Sequence, residues 1–217
     1  MDEKEAKIRA LRPRAEASGQ ARARPRAPRG HLEVVITYLE MRAPPSPRGV
    51  SPHRAEKLAL MRAERPTVSF YRYLYNTVGA PWLWYERRKM DDDRLRANIQ
   101  DPAVEITVLH VGGVPAGYVE IDRREPAEVE LAYFGLVPEF IGRGLGTYLL
   151  EWAITQAWSS EPQRVWVNTC TLDHPKALAV YQRAGFVPYH QETVVIRDPR
   201  GRGVMPRGME FPPGVGP

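Results

Sequence analysis

The chain has 217 residues, of which 43% are hydrophobic and 26% charged, and its formal net charge is +5. That length fits one domain with extensions, and a core of about 160–170 residues buries roughly 70% of the surface its unfolded chain would expose. The single cysteine, Cys170, excludes an internal disulfide and a multi-cysteine zinc site. No stretch approaches the ~18 apolar residues of a membrane helix. Met1 to Ala10 is charged throughout, unlike a secretory signal peptide, so a cytoplasmic location is expected.

The charge is unevenly placed. Residues 1–30 hold 9 Lys/Arg and 4 Asp/Glu, while the rest of the chain holds 22 of each. The basic excess therefore lies in the tail, and the remainder has no net electrostatic reason to bind nucleic acid. Residues 1–30 are rich in Ala, Arg and Pro, and such a segment buries too little to offset its ordering entropy. A disordered basic tail is expected there, either solvated or docking an anionic partner through Arg22, Arg24, Arg26 and Arg29.

Leu32 to Met41 carries Val34, Val35, Ile36, Thr37 and Tyr38, which suit a half-buried strand. Residues 43–53, with Pro44, Pro45, Pro47 and Pro52, form a loop. Lys57 to Arg65 fits an extended segment or a helical turn. Phe70, Tyr71, Leu74 and Val78 repeat at helical spacing, which predicts a helix over Val68–Val78 with Thr67 as its cap. An aromatic cluster, Trp82, Trp84 and Tyr85, follows. Asp91 to Ile99 is a short helix with acidic residues in its first turn.

From Val104 the pattern changes to strands: Val104–Val111, Val114–Ile121 and Val129–Val137. Gly112 and Gly113 turn between the first two, and Arg123–Ala127 between the next. Gly144–Trp158 is an amphipathic helix, with Leu145, Leu149, Trp152, Ala153 and Ala157 on one face. A short strand over Val165–Asn168, a helix over Pro175–Ala184 stopped by Gly185, and a strand over Phe186–Ile196 complete the pattern. The expected fold class is α+β (mixed α/β): one central, mostly antiparallel sheet flanked by about four helices. The expected division is a tail over 1–30, a domain over 31–197 and a Gly/Pro-rich tail over 198–217.

Two motifs carry the chemistry. Gly142, Arg143, Gly144 and Gly146 form a glycine-rich loop between a strand and a helix. Such a loop aims free N–H groups and a helix dipole at an anion. No Lys-Ser/Thr follows it, so it is not a Walker loop, and the antiparallel strands before it disfavour a dinucleotide fold. Alone it is also compatible with a plain strand–helix turn. The second motif places Ala177, Tyr181, Gly185 and Phe186 at the end of a later helix.

With both motifs in order, residues 32–197, and most strongly 128–190, resemble the GCN5-related N-acetyltransferases (GNAT), in a branch that is bacterial. The resemblance implies an acetyl-coenzyme A-dependent N-acetyltransferase. A primary amine, on a small molecule or a protein, attacks the thioester directly. It implies Glu130 as the base and Tyr181 as the donor to the leaving thiolate. It implies Leu136 and Val137 beside the pantetheine arm, Phe134 as the oxyanion donor, and Gly142, Arg143, Gly144, Leu145, Gly146 and Thr147 around the pyrophosphate. Asn168, His174 and Lys176 complete the cofactor side, with Thr169 as the alternative to Asn168. The first two helices line the acceptor site in this family, which points to Tyr71, Tyr75, Trp82, Trp84 and Tyr85.

The residues themselves leave alternatives open. Glu120, Asp122 and Glu128 are rival bases, and the aromatic residues would equally pack a core. Two positions depart from the family pattern: Ile141 stands where Gln or Arg is usual, and His174 where Asn is. They keep a second reading in play, a non-catalytic acyl-coenzyme A-binding regulatory domain. No metal, membrane or nucleic-acid partner is expected, and a homodimer is left open.

Overall fold

The computed structural model describes residues 27–46 and 57–205. Residues 1–26 of the tail expected over 1–30, residues 206–217 of the tail expected over 198–217, and the loop residues Pro47 and Pro52 lie outside them.

Seven strands form one sheet in the order β2-β3-β4-β5-β6-β1-β7. They are β1 (His31–Met41), β2 (Leu58–Arg62), β3 (Val104–Val111), β4 (Val114–Glu125), β5 (Glu128–Leu136), β6 (Arg164–Cys170) and β7 (Val187–Arg197). Four α-helices are seen among the described residues: α1 (Val68–Gly79), α2 (Asp92–Ile99), α3 (Leu145–Trp158) and α4 (Ala177–Ala184). All strand pairs are antiparallel except β5–β6. The mixed α+β class expected from the sequence is the class observed.

Local chemistry sets the elements. Thr67 caps α1 by accepting from the Phe70 N–H at 3.3 Å, and Asp91 caps α2 by accepting from the Arg94 N–H at 2.8 Å. Each cap contributes roughly 1 kcal/mol. Gly112 and Gly113 turn β3 into β4 with φ of +58° and +89°, a region that favours glycine. Lys57–Arg65 resolves as strand, because Leu58–Arg62 pairs along the edge of β3. The strand β4 runs four residues past Ile121, so the turn into β5 shrinks to Pro126 and Ala127.

One face of the sheet carries α3 and α4. Leu145, Leu149 and Ala153 pack there on Val119, Ile121, Val129 and Leu131, with Tyr181 and Phe186. The other carries α1, whose Tyr71, Leu74, Tyr75 and Val78 pack on Ile106, Val108 and Tyr118. Beyond α1 that face is closed by Leu83 and Tyr85 and by Met205, which pack on Val34, Ile36, Tyr38 and Trp166. Residues 198–205 thus continue onto the domain, and the Asp198 N–H bonds the Gly30 carbonyl at 2.9 Å.

Two irregularities make room for a site. The parallel pair β5–β6 is joined at three positions, Glu128–Arg164, Val129–Val165 and Glu130–Trp166, and then the strands part. In the β4–β5 register, Ile121 faces Leu131 but Glu120 faces Tyr133, so Ala132 is an extra residue on β5. Such a bulge reverses the in–out alternation. Before it, Glu130 lies on the α1 face. After it, Phe134 lies on the α3 face, where its ring meets Tyr181 with centroids 6.1 Å apart.

Candidate active site

A cleft of about 700 Å³ runs through the split between β5 and β6. At one end it is walled by the glycine loop, the first turn of α3 and α4, through Gly142, Gly144, Gly146, Thr147 and Tyr181. At the other it is walled by the aromatic loop, α2 and the end of β4, through Trp82, Trp84, Asn98, Asp122 and Arg124. Glu130 and Phe134 stand between the two ends, on opposite sides of the bulge.

The glycine loop has backbone that could hold an anion. Gly142 and Gly144 have φ of +87° and +78°, and a Cβ at Gly142 would meet nothing within 4 Å. That empty space sits before the start of α3, where the first helical N–H groups have no carbonyl four residues back. Ile141 also lines the cleft, so an apolar side chain does stand at the loop's first position. Arg143 takes a different course: its guanidinium lies over the Phe140 ring, 4.9 Å from the centroid, and it is not part of the cleft wall. Leu145 is fully buried and Val137 is 7% exposed, so both lie behind the wall.

Of the other residues expected on the cofactor side, Leu136, Asn168, His174 and Lys176 line the cleft. His174 Nδ1 accepts from the Lys176 N–H at 3.1 Å, and its ring meets Trp82 edge-on at 5.1 Å. Tyr181 is 6% exposed, and its hydroxyl makes no hydrogen bond among the described residues. Burial, aided by the Asp173 charge, pushes its phenol well above the usual range. It therefore stays protonated.

The carboxylates separate into distinct roles. Glu120 is fully buried. It accepts from the Tyr71 hydroxyl at 2.5 Å and pairs with Arg87 at 2.6 Å. Glu128 pairs with Arg164 at 3.0 Å. Asp122 is held by Arg124, which bonds both of its oxygens. Among these four acids, Glu130 and Asp122 line the cleft, and they face each other across β5 and β4.

The aromatic residues divide the same way. Trp82 and Trp84 line the cleft, whereas Tyr71, Tyr75 and Tyr85 are buried. Tyr71 and Tyr75 stack with centroids 6.1 Å apart, and the Tyr75 hydroxyl bonds Glu86 at 3.4 Å and accepts from the Arg87 N–H at 3.3 Å. They support the wall from behind. Several cleft residues carried no sequence signal: Arg87, Asn98, Arg124 and Trp166. Asp173 had one faint mark, an acid between a strand and a proline-led helix.

Among the described residues, no group of three or more His, Cys, Asp or Glu is placed to hold a metal ion. No helix among them is long and apolar enough to cross a membrane.

The model of the acetyltransferase (GNAT) family matches residues 69–186, more than half of the chain, and the chain belongs to that family. A functionally unknown conserved protein from Staphylococcus epidermidis ATCC 12228 has a similar structure, with TM-score 0.52 and 17% identity. The match covers 77% of this chain and 63% of that one. A protein from Novosphingobium aromaticivorans DSM 12444, assigned to the GNAT acetyltransferases, has TM-score 0.52 and 16% identity, over 78% of this chain and 67% of that one. At these identities the likeness is one of fold. No curated protein matches the chain.

Proposed function

We propose that the protein is an acetyl-coenzyme A-dependent N-acetyltransferase acting on a primary amine, by direct attack without an acyl-enzyme. One observation carries the reading: a single cleft through the parted strands joins a glycine anion cradle to a carboxylate, with a protonated phenol lining it.

The residues fit coenzyme A. The left-handed glycines and the first turn of α3 suit a pyrophosphate. Beyond Glu130, the β6-side edge of β5 is unpaired and offers backbone groups to an extended amide-bearing arm. Leu136, Asn168 and His174 flank that path. When bound, acetyl-coenzyme A supplies an acyl group activated as a thioester.

The chain does the rest. An amine attacks only when neutral, so Glu130 accepts a proton from the incoming ammonium. Phe134, next but one after the bulge, offers its N–H to the charge that develops on the carbonyl oxygen. Tyr181 holds its proton at the hydroxyl for the departing sulfur. Trp82 and Trp84 wall the acceptor from water. Geometry of this kind supplies catalysis mainly by positioning.

Thiol release with acetyl-coenzyme A across a panel of amines tests the reading. The expected result is turnover of at least one class, lost in Glu130→Gln. Coenzyme A binding with no turnover on any amine or peptide would favour the non-catalytic regulatory reading instead. Absence of a thermal shift with acetyl-coenzyme A would remove both.

A further inference from the structure

The acceptor end of the cleft mixes charges of both signs in a fixed order. Asp122 and Arg124 lie two residues apart on β4 and both line the cleft, and Asp122 faces Glu130 on β5. Neighbours of this kind are separated by roughly 5–7 Å along and across the strands. The Arg124 guanidinium is locked in place. Its Nε bonds both Asp122 oxygens at 3.0 and 2.9 Å, and its Nη2 bonds Oδ2. The Arg124 N–H adds a fourth bond to Oδ1 at 2.9 Å. These contacts use one edge of the guanidinium. Nη1 makes no hydrogen bond among the described residues, and the side chain is 26% exposed at the cleft wall.

We infer that the acceptor is a zwitterion of amino-acid type, whose ammonium is received at Glu130 and whose carboxylate is received at Arg124. This deepens the transferase reading and rests on it. An arginine fixed by one carboxylate and still offering a donor is suited to a second carboxylate. The hydrogen bond from Arg124 to Asp122 also raises its own pKa, so it stays charged. A polyamine is disfavoured, because it would bring a second cation up to Arg124 in place of a carboxylate. Like charges a few ångströms apart at a partly screened site cost on the order of a few kcal/mol. Trp82 and Trp84 provide a flat apolar wall for the rest of the molecule.

The test uses the full chain with acetyl-coenzyme A and matched acceptors that differ by one carboxylate. The pairs are L-phenylalanine and 2-phenylethylamine, L-tryptophan and tryptamine, and L-lysine and cadaverine. The readout is the ratio of kcat/KM within each pair. The expected result is a preference of about ten-fold or more for the amino acid in at least one pair. Arg124→Gln should collapse that ratio toward one by raising KM for the amino acid, and Arg124→Lys should restore part of it. An unchanged thermal shift with coenzyme A shows that the variants are folded. Decarboxylated amines used as well as the amino acids, a ratio that survives Arg124→Gln, or turnover confined to peptide amines would overturn the inference and leave the transferase reading standing. No thiol release from any acceptor, with coenzyme A bound, would overturn both.

Discussion

The Trp84 indole N–H donates to Asp173 Oδ1 at 3.4 Å, and so ties the aromatic loop to the segment between β6 and α4. Asp173 Oδ2 meanwhile accepts from the Thr169 hydroxyl at 2.9 Å and the Cys170 N–H at 2.8 Å. One carboxylate therefore joins the aromatic-loop wall of the cleft to its β6 wall. Trp84 has little freedom to move away: a Cβ at Gly79 would lie 2.4 Å from its Cε3. Trp84→Phe keeps a ring and removes the donor. It should cost about 1 kcal/mol in urea unfolding and raise acceptor KM more than coenzyme A Kd. Gly79→Ala should cost more, because the ring itself must shift.

Asp173 also gives a pH signature. Burial raises its carboxyl pKa, and the three hydrogen bonds offset only part of that. The folded pKa is thus above the unfolded value of ~3.9. The folded state then holds the extra proton in the interval between the two values. The contribution of Asp173 to stability is fully present below ~3.9 and is lost as pH rises through the folded pKa. Asp173→Asn does not titrate. The stability of the natural chain minus that of the variant should therefore fall as pH is raised from ~4 toward neutrality. Parallel urea titrations at several pH values measure this difference, and a flat line would rule out a perturbed carboxyl.

Glu130→Gln should lower kcat by roughly 10²–10⁴-fold if Glu130 takes the amine proton. Coenzyme A affinity should change little, since the glycine loop lies on the other side of the bulge. Raising the pH should rescue the variant in part, as more of the amine is already neutral. Unchanged turnover would move the base to Asp122 or to a water chain.

How much of this was legible in the sequence follows from the range of each contact. Thr67 and the Gly112–Gly113 turn act within a few residues, and the sequence placed them; Asp91 read as the first residue of its helix and is the cap. The two motifs were legible because each carries its glycines or its tyrosine at short spacing. The insertion of β1 between β6 and β7 was not, since nothing local in His31–Met41 records partners more than 120 residues away. Nor was the extra residue at Ala132. Simple alternation places Glu130, Phe134 and Leu136 on one face, and the bulge parts them. Tyr71 and Tyr75 read as an acceptor surface because burial depends on Glu120 and Arg87, which are remote in sequence.

That buried pair gives a stability prediction. The Arg87 and Glu120 side chains are 4% and 1% exposed, with N and O 2.6 Å apart. Removing one partner leaves the other charge without compensation. Glu120→Gln should cost about 3–5 kcal/mol, a fall in Tm on the order of 10 °C for a chain of this size. The paired change of Arg87→Met with Glu120→Leu should recover much of the loss, because both desolvated charges are then gone. A double-mutant cycle by thermal unfolding separates the pair from the Tyr71–Glu120 bond.

The glycine loop makes the last prediction, and it separates fold from binding. At Gly144, φ of +78° puts alanine in the left-handed region at a cost of about 1–2 kcal/mol. At Gly142 the φ penalty is similar, but a Cβ there projects into space that nothing occupies within 4 Å. If that space receives the pyrophosphate, Gly142→Ala should weaken coenzyme A by more than its small stability loss explains. Arg143→Ala should weaken it less, since Arg143 lies over Phe140 and outside the cleft wall. Calorimetric titration of coenzyme A, alongside dephospho-coenzyme A and pantetheine, locates the loss. A Gly142→Ala defect that persists with pantetheine, which lacks the pyrophosphate, would count against the loop as the anion site.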